Sequence, residues 1–325
     1  MLEHRPEEMP SNLILASDLT AALGADLRLR RRAERGALHR VARGAFVPTG
    51  VWGSLDDGQR YAVRVRSAAL ARRSGAVLSH QSAAVLWGLP ILSSWPAEVH
   101  FLTERAAGGR SDPGIRKHAL GITAADVILL DGLLVTTLER TVVDLAATMD
   151  LKSAVAIVDR ALFVDPFARM RPLTTRSRLL ETWERMLPFR GSVRARAIIE
   201  FGSGLSGSPL ESGSRVNIAL SGFPAPELQH PFDIDGHTVR SDFYWLGHDC
   251  IGEADGRGKY FDERLLAGLT IEEVIFAEKQ REDALRRQVR GFTRWDAAVG
   301  LSQQRLRSRL LQLGLPTGRP WSIRG

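Results

Sequence analysis

The chain has 325 residues, a formal net charge of +7, 44% hydrophobic and 25% charged residues, and a single cysteine. That balance suits a soluble globular protein of two or three domains and points to a polyanionic partner; the lone Cys250 excludes an intrachain disulfide and a multi-cysteine zinc site. The polar start Met1–Pro10 lacks the apolar core of a signal peptide, and no apolar run approaches the roughly 20 residues of a membrane helix, so a cytoplasmic protein without a membrane partner is expected.

In chain order, Leu13–Leu23 carries Leu15, Leu19 and Leu23 at helical spacing and ends at Gly24, which predicts a first helix. Asp26 then caps a second helix running to about Glu34 and stopped by Gly36. Ala37–Val47 reads as a β-hairpin with its turn near Ala42–Gly44, closed by Pro48. Helix, helix and two-stranded wing is the order of a winged helix-turn-helix over residues 1–50. Arg28, Arg30, Arg31, Arg32 and Arg35 fall on the second helix, and Arg40 and Arg43 on the wing. Arginines on such a helix reach phosphates or guanine edges in the major groove, which makes these seven the candidate DNA-binding set; a solvated basic helix is the alternative. The helix Leu27–Arg35, Gly36 and the hairpin Leu38–Val47 resemble the winged-helix domain of AbiEi-type antitoxins, the transcriptional autoregulators of type IV toxin–antitoxin systems.

Residues 51–165 read as a mixed α/β domain. Gln59–Ser74 is a basic helix, and Ala76–Pro90 a short apolar entry into a helix capped by Ser79 and ending at Gly88. Glu98–Thr103 alternates as a strand, Arg105–Arg116 is a Gly- and Arg-rich loop, and Leu133–Ala146 is a strand entering a helix that starts at Thr136 or Thr137. Leu151–Leu162 is a further amphipathic helix. Ser79-His80 before Ala83, the string Val135–Asp144 and Val158–Leu162 resemble the second domain of AbiEi-like proteins. A Ser79–His80–Asp144 triad is rejected, because neighbours on a helix diverge by about 100° and no Gly-x-Ser-x-Gly elbow surrounds Ser79. Arg140 and Asp144, four apart, form an ion pair.

Residues 166–201 read as a helical linker region, with helices at Leu179–Leu187 and Gly191–Phe201, and Gly202–Pro209 as a flexible link. Ser208-Pro209-Leu210-Glu211 is a capping box that opens a helix to Leu220. Leu228–Ile234 and His237–Trp245 pair around the turn Asp235-Gly236. If Gly247-His248 turn the next hairpin, Trp245 faces Cys250 and Asp242 faces Glu253, with Asp255 on the same face opposite Arg240. Opposed carboxylates repel, and a divalent cation such as Mg²⁺ or Mn²⁺ is a common reason to keep them; the alternative is an Arg240 ion pair with the other acids solvated. A helix Thr270–Gln288, a strand Val289–Arg294 and a helix from Trp295 to about Leu313 complete an α/β (α+β) chain.

Ser208–Ser212, Gly222–Glu227, Ser241–Trp245, Gly252–Gly256, Lys259-Tyr260 and Glu278–Leu285 resemble the PD-(D/E)XK nuclease fold. The likeness is closest to its Vsr-like domain often called DUF559, here over residues 202–315 with a tail at 316–325. The resemblance implies a restriction-endonuclease-like sheet flanked by helices, with Asp242 and Glu253 as Mg²⁺ or Mn²⁺ ligands. Glu211 would be the acid of the first core helix, a role compatible with capping. The pattern's lysine, two residues after the second acid, is replaced by Asp255, which leaves Lys259 or Lys279 to supply a cation. The expectation is a DNA-binding protein with a metal-dependent endonuclease-like domain in defence, repair or a toxin–antitoxin setting, with a cognate toxin or regulatory partner. The alternative is a non-catalytic regulator that keeps a degenerate nuclease fold for binding. No Gly-Ser motif followed by paired acids supports a nucleotidyltransferase.

Overall fold

The computed structural model describes residues 13–16, 25–72, 75–104, 112–165, 170–255 and 271–322. The fold is mixed α/β, with three sheets and flanking helices among these residues. The chain divides into two compact units, Met1–Leu145 with Glu181–Arg185, and Ala146–Leu180 with Met186–Gly325. None of the described helices is long and apolar enough to cross a membrane.

In the first unit, Leu38–Ala42 and Ala45–Pro48 form the expected hairpin, and Gly44 turns it with a φ of 75° that a side chain would strain. The expected first helix is corrected over its described part. Ile14–Leu15 is a strand paired with Phe46 and Ala45, because Ile14 completes the small core of Leu29, Leu38 and Phe46. Residues 17–24 lie outside the described residues. The helix Ala25–Glu34 packs by Leu29, while Arg28, Arg30, Arg31, Arg32 and Arg35, with Arg40 and Arg43 on the hairpin, are exposed.

A five-stranded sheet follows, in the order Ile115–His118, Val99–Leu102, Val77–Leu78, Leu133–Thr136, Val127–Leu130. Ile115–His118 reaches into the expected loop. Val127–Leu130 is a strand the sequence hid, an apolar run without alternation whose hairpin turns at Asp131-Gly132. Ser79 stands at the N-cap of His80–Leu86 without capping it; its Oγ lies 3.1 Å from His80 Nδ1. The two neighbours meet because His80 has φ 50°, outside helical geometry. Asp144 joins Arg140 instead, at 2.9 Å, as expected, and Arg140 also reaches Asp126 at 3.1 Å. Burial holds the Asp144 carboxyl up at about 6.

In the second unit, helices Leu151–Leu162 and Pro209–Leu220 are locked by Arg215 Nη2, which donates to both carboxylate oxygens of Asp159 at 2.7 and 2.8 Å. The segment from Gly202 is therefore no flexible link. Ser203 N donates to Asp159 Oδ1 at 2.7 Å, Val164 N to Gly204 O at 2.8 Å, and a Cβ at Gly202 would collide with Val158. The helices Arg176–Met186 and Ser192–Phe201 fall near their expected places.

The four-stranded sheet runs Gly291–Trp295, Cys250–Ala254, His237–Trp245, Glu227–Ile234. Asp235-Gly236 turns the first hairpin with both φ values positive. The second hairpin has the expected register, Trp245 opposite Cys250 and Phe243 opposite Gly252. Its turn is wider than two residues, a 3₁₀ segment Leu246–His248 followed by left-handed Asp249. Cys250–Ala254 runs parallel to Gly291–Trp295, a pairing that needs a crossover, and the helix Ile271–Gln288 lies in it. The expected last helix breaks at Ser302 into Ala297–Gly300 and Gln303–Gln312. Phe243, Trp245, Cys250 and Trp295 pack on one face with Leu210, Ile218, Leu306 and Leu310; Tyr244 and Ile251 pack on the other against Leu285 of the crossover helix. By strand alternation, Asp242 and Glu253 lie on the crossover-helix face.

Candidate active site on the C-terminal sheet

Asp242 and Glu253 are both buried on neighbouring strands. Asp242 N donates to Glu253 Oε1 at 3.2 Å, and Ala254 N donates to Asp242 Oδ2 at 2.8 Å. The backbone thus holds the two carboxyl groups side by side.

The counter-charge comes from the crossover helix. Arg281 Nη2 donates to Glu253 Oε2 at 2.7 Å, while its Nε and Nη2 donate to Glu278 at 2.8 Å. Burial and the Asp242 charge push the Glu253 carboxyl up to about 7, against the pull of Arg281, whose charge is shared with Glu278. Arg281 itself is held protonated more firmly than usual: burial opposes its charge, but Glu278 and Glu253 outweigh burial.

Asp255 lies 3.4 Å from Arg294, the residue whose neighbour in the ladder is Glu253. The alternative of an Arg240 ion pair is not found among the described residues. Arg240 Nη1 donates to Gln229 O at 2.9 Å, and Arg294 takes Asp255 because the parallel strand lies on that side. Arg294 also binds Glu282 at 2.6 Å and Glu278 at 3.2 Å. Lys259 lies outside the described residues.

Glu211 performs capping. Its Oε2 accepts from Gly207 N at 2.8 Å and its Oε1 from Ser208 Oγ at 2.8 Å. Gln229 Nε2 also donates to Glu211 Oε2, at 3.3 Å, from a strand position with φ 52° beside Asp242. Gln229 therefore ties the helix start to the strand that borders the acid pair.

Sequence reasoning missed Arg281, Arg294, Glu278 and Glu282. The spacings Glu278/Arg281 and Glu282/Arg286 signal a charged helix face, yet they do not say that the face turns to Glu253. No group of three or more His, Cys, Asp or Glu side chains forms a metal cage among the described residues. A magnesium ion, however, is commonly held by one or two carboxylates and completed by water and phosphate oxygens. Asp242 Oδ1 accepts no hydrogen bond among the described residues, whereas both Glu253 oxygens are engaged. Asp242 and Glu253 are therefore the residues that would hold such an ion, with Glu253 already bonded to Arg281.

No family model matches the chain. It is 31% identical over 141 residues to two proteins of Mycobacterium tuberculosis. They are uncharacterized protein MT2308 of strain CDC 1551 / Oshkosh and uncharacterized protein Rv2248 of strain ATCC 25618 / H37Rv. The match covers 41% of this chain and 49% of each relative, so the chain spans about half the length of the curated relatives it matches. The crystal structure of RV2827C protein from Mycobacterium tuberculosis aligns with a TM-score of 0.37 and 19% identity, over 62% of this chain and 74% of that one.

Proposed function

We propose a cytoplasmic DNA-binding protein whose C-terminal sheet carries a metal-dependent phosphodiester-cleaving site at Asp242 and Glu253. The observation behind this reading is the buried carboxylate pair, whose repulsion a cation relieves. Asp242 and Glu253 would hold Mg²⁺ or Mn²⁺, which when bound supplies a positioned and activated water for attack on a DNA phosphodiester. The chain's own part is to fix the two carboxylates through Asp242 N and Ala254 N, and to orient Glu253 by Arg281. Glu211 supports the site from outside, as a cap linked to Gln229. Lys259 remains a candidate cation donor, and Asp255, tied to Arg294, stands in the motif lysine's place as a charge-balancing acid rather than as a base.

DNA binding rests on the exposed arginines of the helix Ala25–Glu34 and of the following hairpin, an order compatible with a winged helix. An antitoxin-like setting with a cognate toxin or regulatory partner belongs to the same proposal.

The second reading is a regulator that binds DNA without cutting it. It is favoured by one observation, the Arg281 guanidinium already bonded to Glu253. Plasmid DNA incubated with purified protein and Mg²⁺ or Mn²⁺ separates the two. Cleavage that is lost in both Asp242→Ala and Glu253→Ala supports the enzyme. Intact plasmid under all these conditions leaves the regulator.

A further inference from the structure

The first unit contains a cavity of about 550 Å³, within the roughly 300–1,000 Å³ of small-ligand sites. Strand Leu38–Ala42, the helices Thr49–Ser54 and Asp57–Leu70, and the segment at 94–95 line it. Its lining combines the rings of His39, Trp52 and Trp95 with the guanidinium groups of Arg60 and Arg64.

The aromatic wall is held in place before any ligand arrives. His39 stacks on Trp52 with ring centroids 4.2 Å apart and planes 12° apart. Trp95 stacks on Tyr61 at 5.1 Å, and the Tyr61 hydroxyl is anchored to Ser82 Oγ at 2.7 Å and Glu98 O at 3.0 Å. Burial and the Arg60 charge lower the His39 pKa, so that ring is neutral near pH 7.

The cationic wall is equally fixed. Arg60 donates from Nε to Trp52 O at 3.2 Å and from Nη2 to Gly53 O at 3.4 Å, and lies 5.9 Å from the Trp52 ring. Arg64, one helical turn on, lies 5.5 Å from the Tyr61 ring. Its Nε is buried without a hydrogen-bond partner among the described residues. The acid in the lining, Asp57, is exposed and 3.6 Å from Arg60. Solvent-screened contact of that kind offsets little of the positive charge.

We propose that this cavity binds one unpaired nucleotide, its base against the indoles of Trp52 and Trp95 and its phosphate against Arg60 and Arg64. Every nucleobase has a face that stacks on an aromatic ring, and guanidinium groups match phosphate oxygens with paired hydrogen bonds. Duplex DNA does not offer this chemistry, since its base faces are covered by stacking. The ligand is a free mononucleotide or an unpaired nucleotide within a single strand. Its lining includes neither the Asp242–Glu253 pair nor the seven arginines between Arg28 and Arg43.

The test uses the full chain with three probes: a deoxymononucleotide, a short fluorescein-labelled single strand, and the matching duplex. Anisotropy reads the strands, and tryptophan fluorescence reads the mononucleotide. Arg64→Gln and Trp52→Leu should each weaken single-strand binding by about tenfold, with Trp52→Phe close to wild type. Duplex binding should be unchanged in all three variants. Single-strand binding without measurable mononucleotide binding assigns the source as a strand; equal binding of the two assigns a free nucleotide; both sustain the proposal. Thermal melting confirms folding, and if Trp52→Leu fails to fold, Arg64→Gln, at a partly buried helix position, decides. The proposal is overturned if neither the mononucleotide nor the single strand binds, or if folded Arg64→Gln binds both as the wild type does.

Discussion

Arg281 Nη2 meets Glu253 Oε2 at 2.7 Å, so the positive charge at the paired carboxylates is delivered by the crossover helix. The position two residues after Glu253 carries Asp255, which faces Arg294. One side chain from a remote segment therefore supplies the counter-charge at the acid pair, and Glu278 holds it there.

Replacing Arg281 with Gln should lower the melting temperature without metal, because it leaves Glu253 buried with fewer partners. Millimolar Mg²⁺ or Mn²⁺ should then raise that temperature more in the variant than in the wild type. An ion held by the pair would bind only the folded arrangement, and in the variant Arg281 would no longer compete for the Glu253 oxygen. Asp242→Asn should abolish the shift, while Asp255→Asn should keep it, since Asp255 pairs with Arg294. Differential scanning fluorimetry with and without metal reads all of these. An unchanged wild-type melting curve in both metals would remove the metal reading.

The raised Glu253 pKa has a sign in folding. The folded protein keeps this proton up to about pH 7, whereas the unfolded chain releases it near its ordinary value of 4.5. The stabilisation is complete below that lower value and is lost as pH rises through the folded one. Asp144, held up at about 6, adds a smaller slope of the same sign. Asp242→Asn removes the repelling charge, so urea midpoints between pH 5 and pH 8 should fall less steeply than in the wild type. Parallel slopes would show that Asp242 does not load Glu253.

Asp159→Ala should be the costliest of these single changes. It strands the Arg215 guanidinium in the interior and releases the Ser203 amide. Removing one partner of a buried pair costs about 3–5 kcal/mol, measurable by urea unfolding. The remaining bond from Arg215 Nη1 to Phe201 O, 2.8 Å long, should keep the loss at the lower end of that range.

For DNA, the double change Arg30→Ala with Arg31→Ala should weaken binding and flatten its salt dependence. Each lost phosphate contact releases fewer counterions, about 0.9 of a unit of slope in log K against log salt. Anisotropy titrations on duplex DNA at several salt concentrations measure the slope. An unchanged slope would place the DNA surface elsewhere on the chain.

By itself the sequence determined the local pieces of the second unit. Ser208-Pro209 started a helix ending at Leu220, Asp235-Gly236 turned a hairpin, and the alternation of Val239–Trp245 aligned Trp245 with Cys250. These depend on neighbours within a few residues, where capping, turn geometry and the period of two act directly. Other features rested on partners far away in the chain. Ile14–Leu15 became a strand because Phe46 offered a core and a ladder edge, and the glycines from Gly202 became packing contacts because Asp159 and Val158 lie against them. The acid pair itself was legible as a register, but its charge balance was not. Only the tertiary structure turned the Glu278–Arg281 face of the crossover helix onto Glu253, because Leu285, one turn further along, is buried against Tyr244 and Ile251.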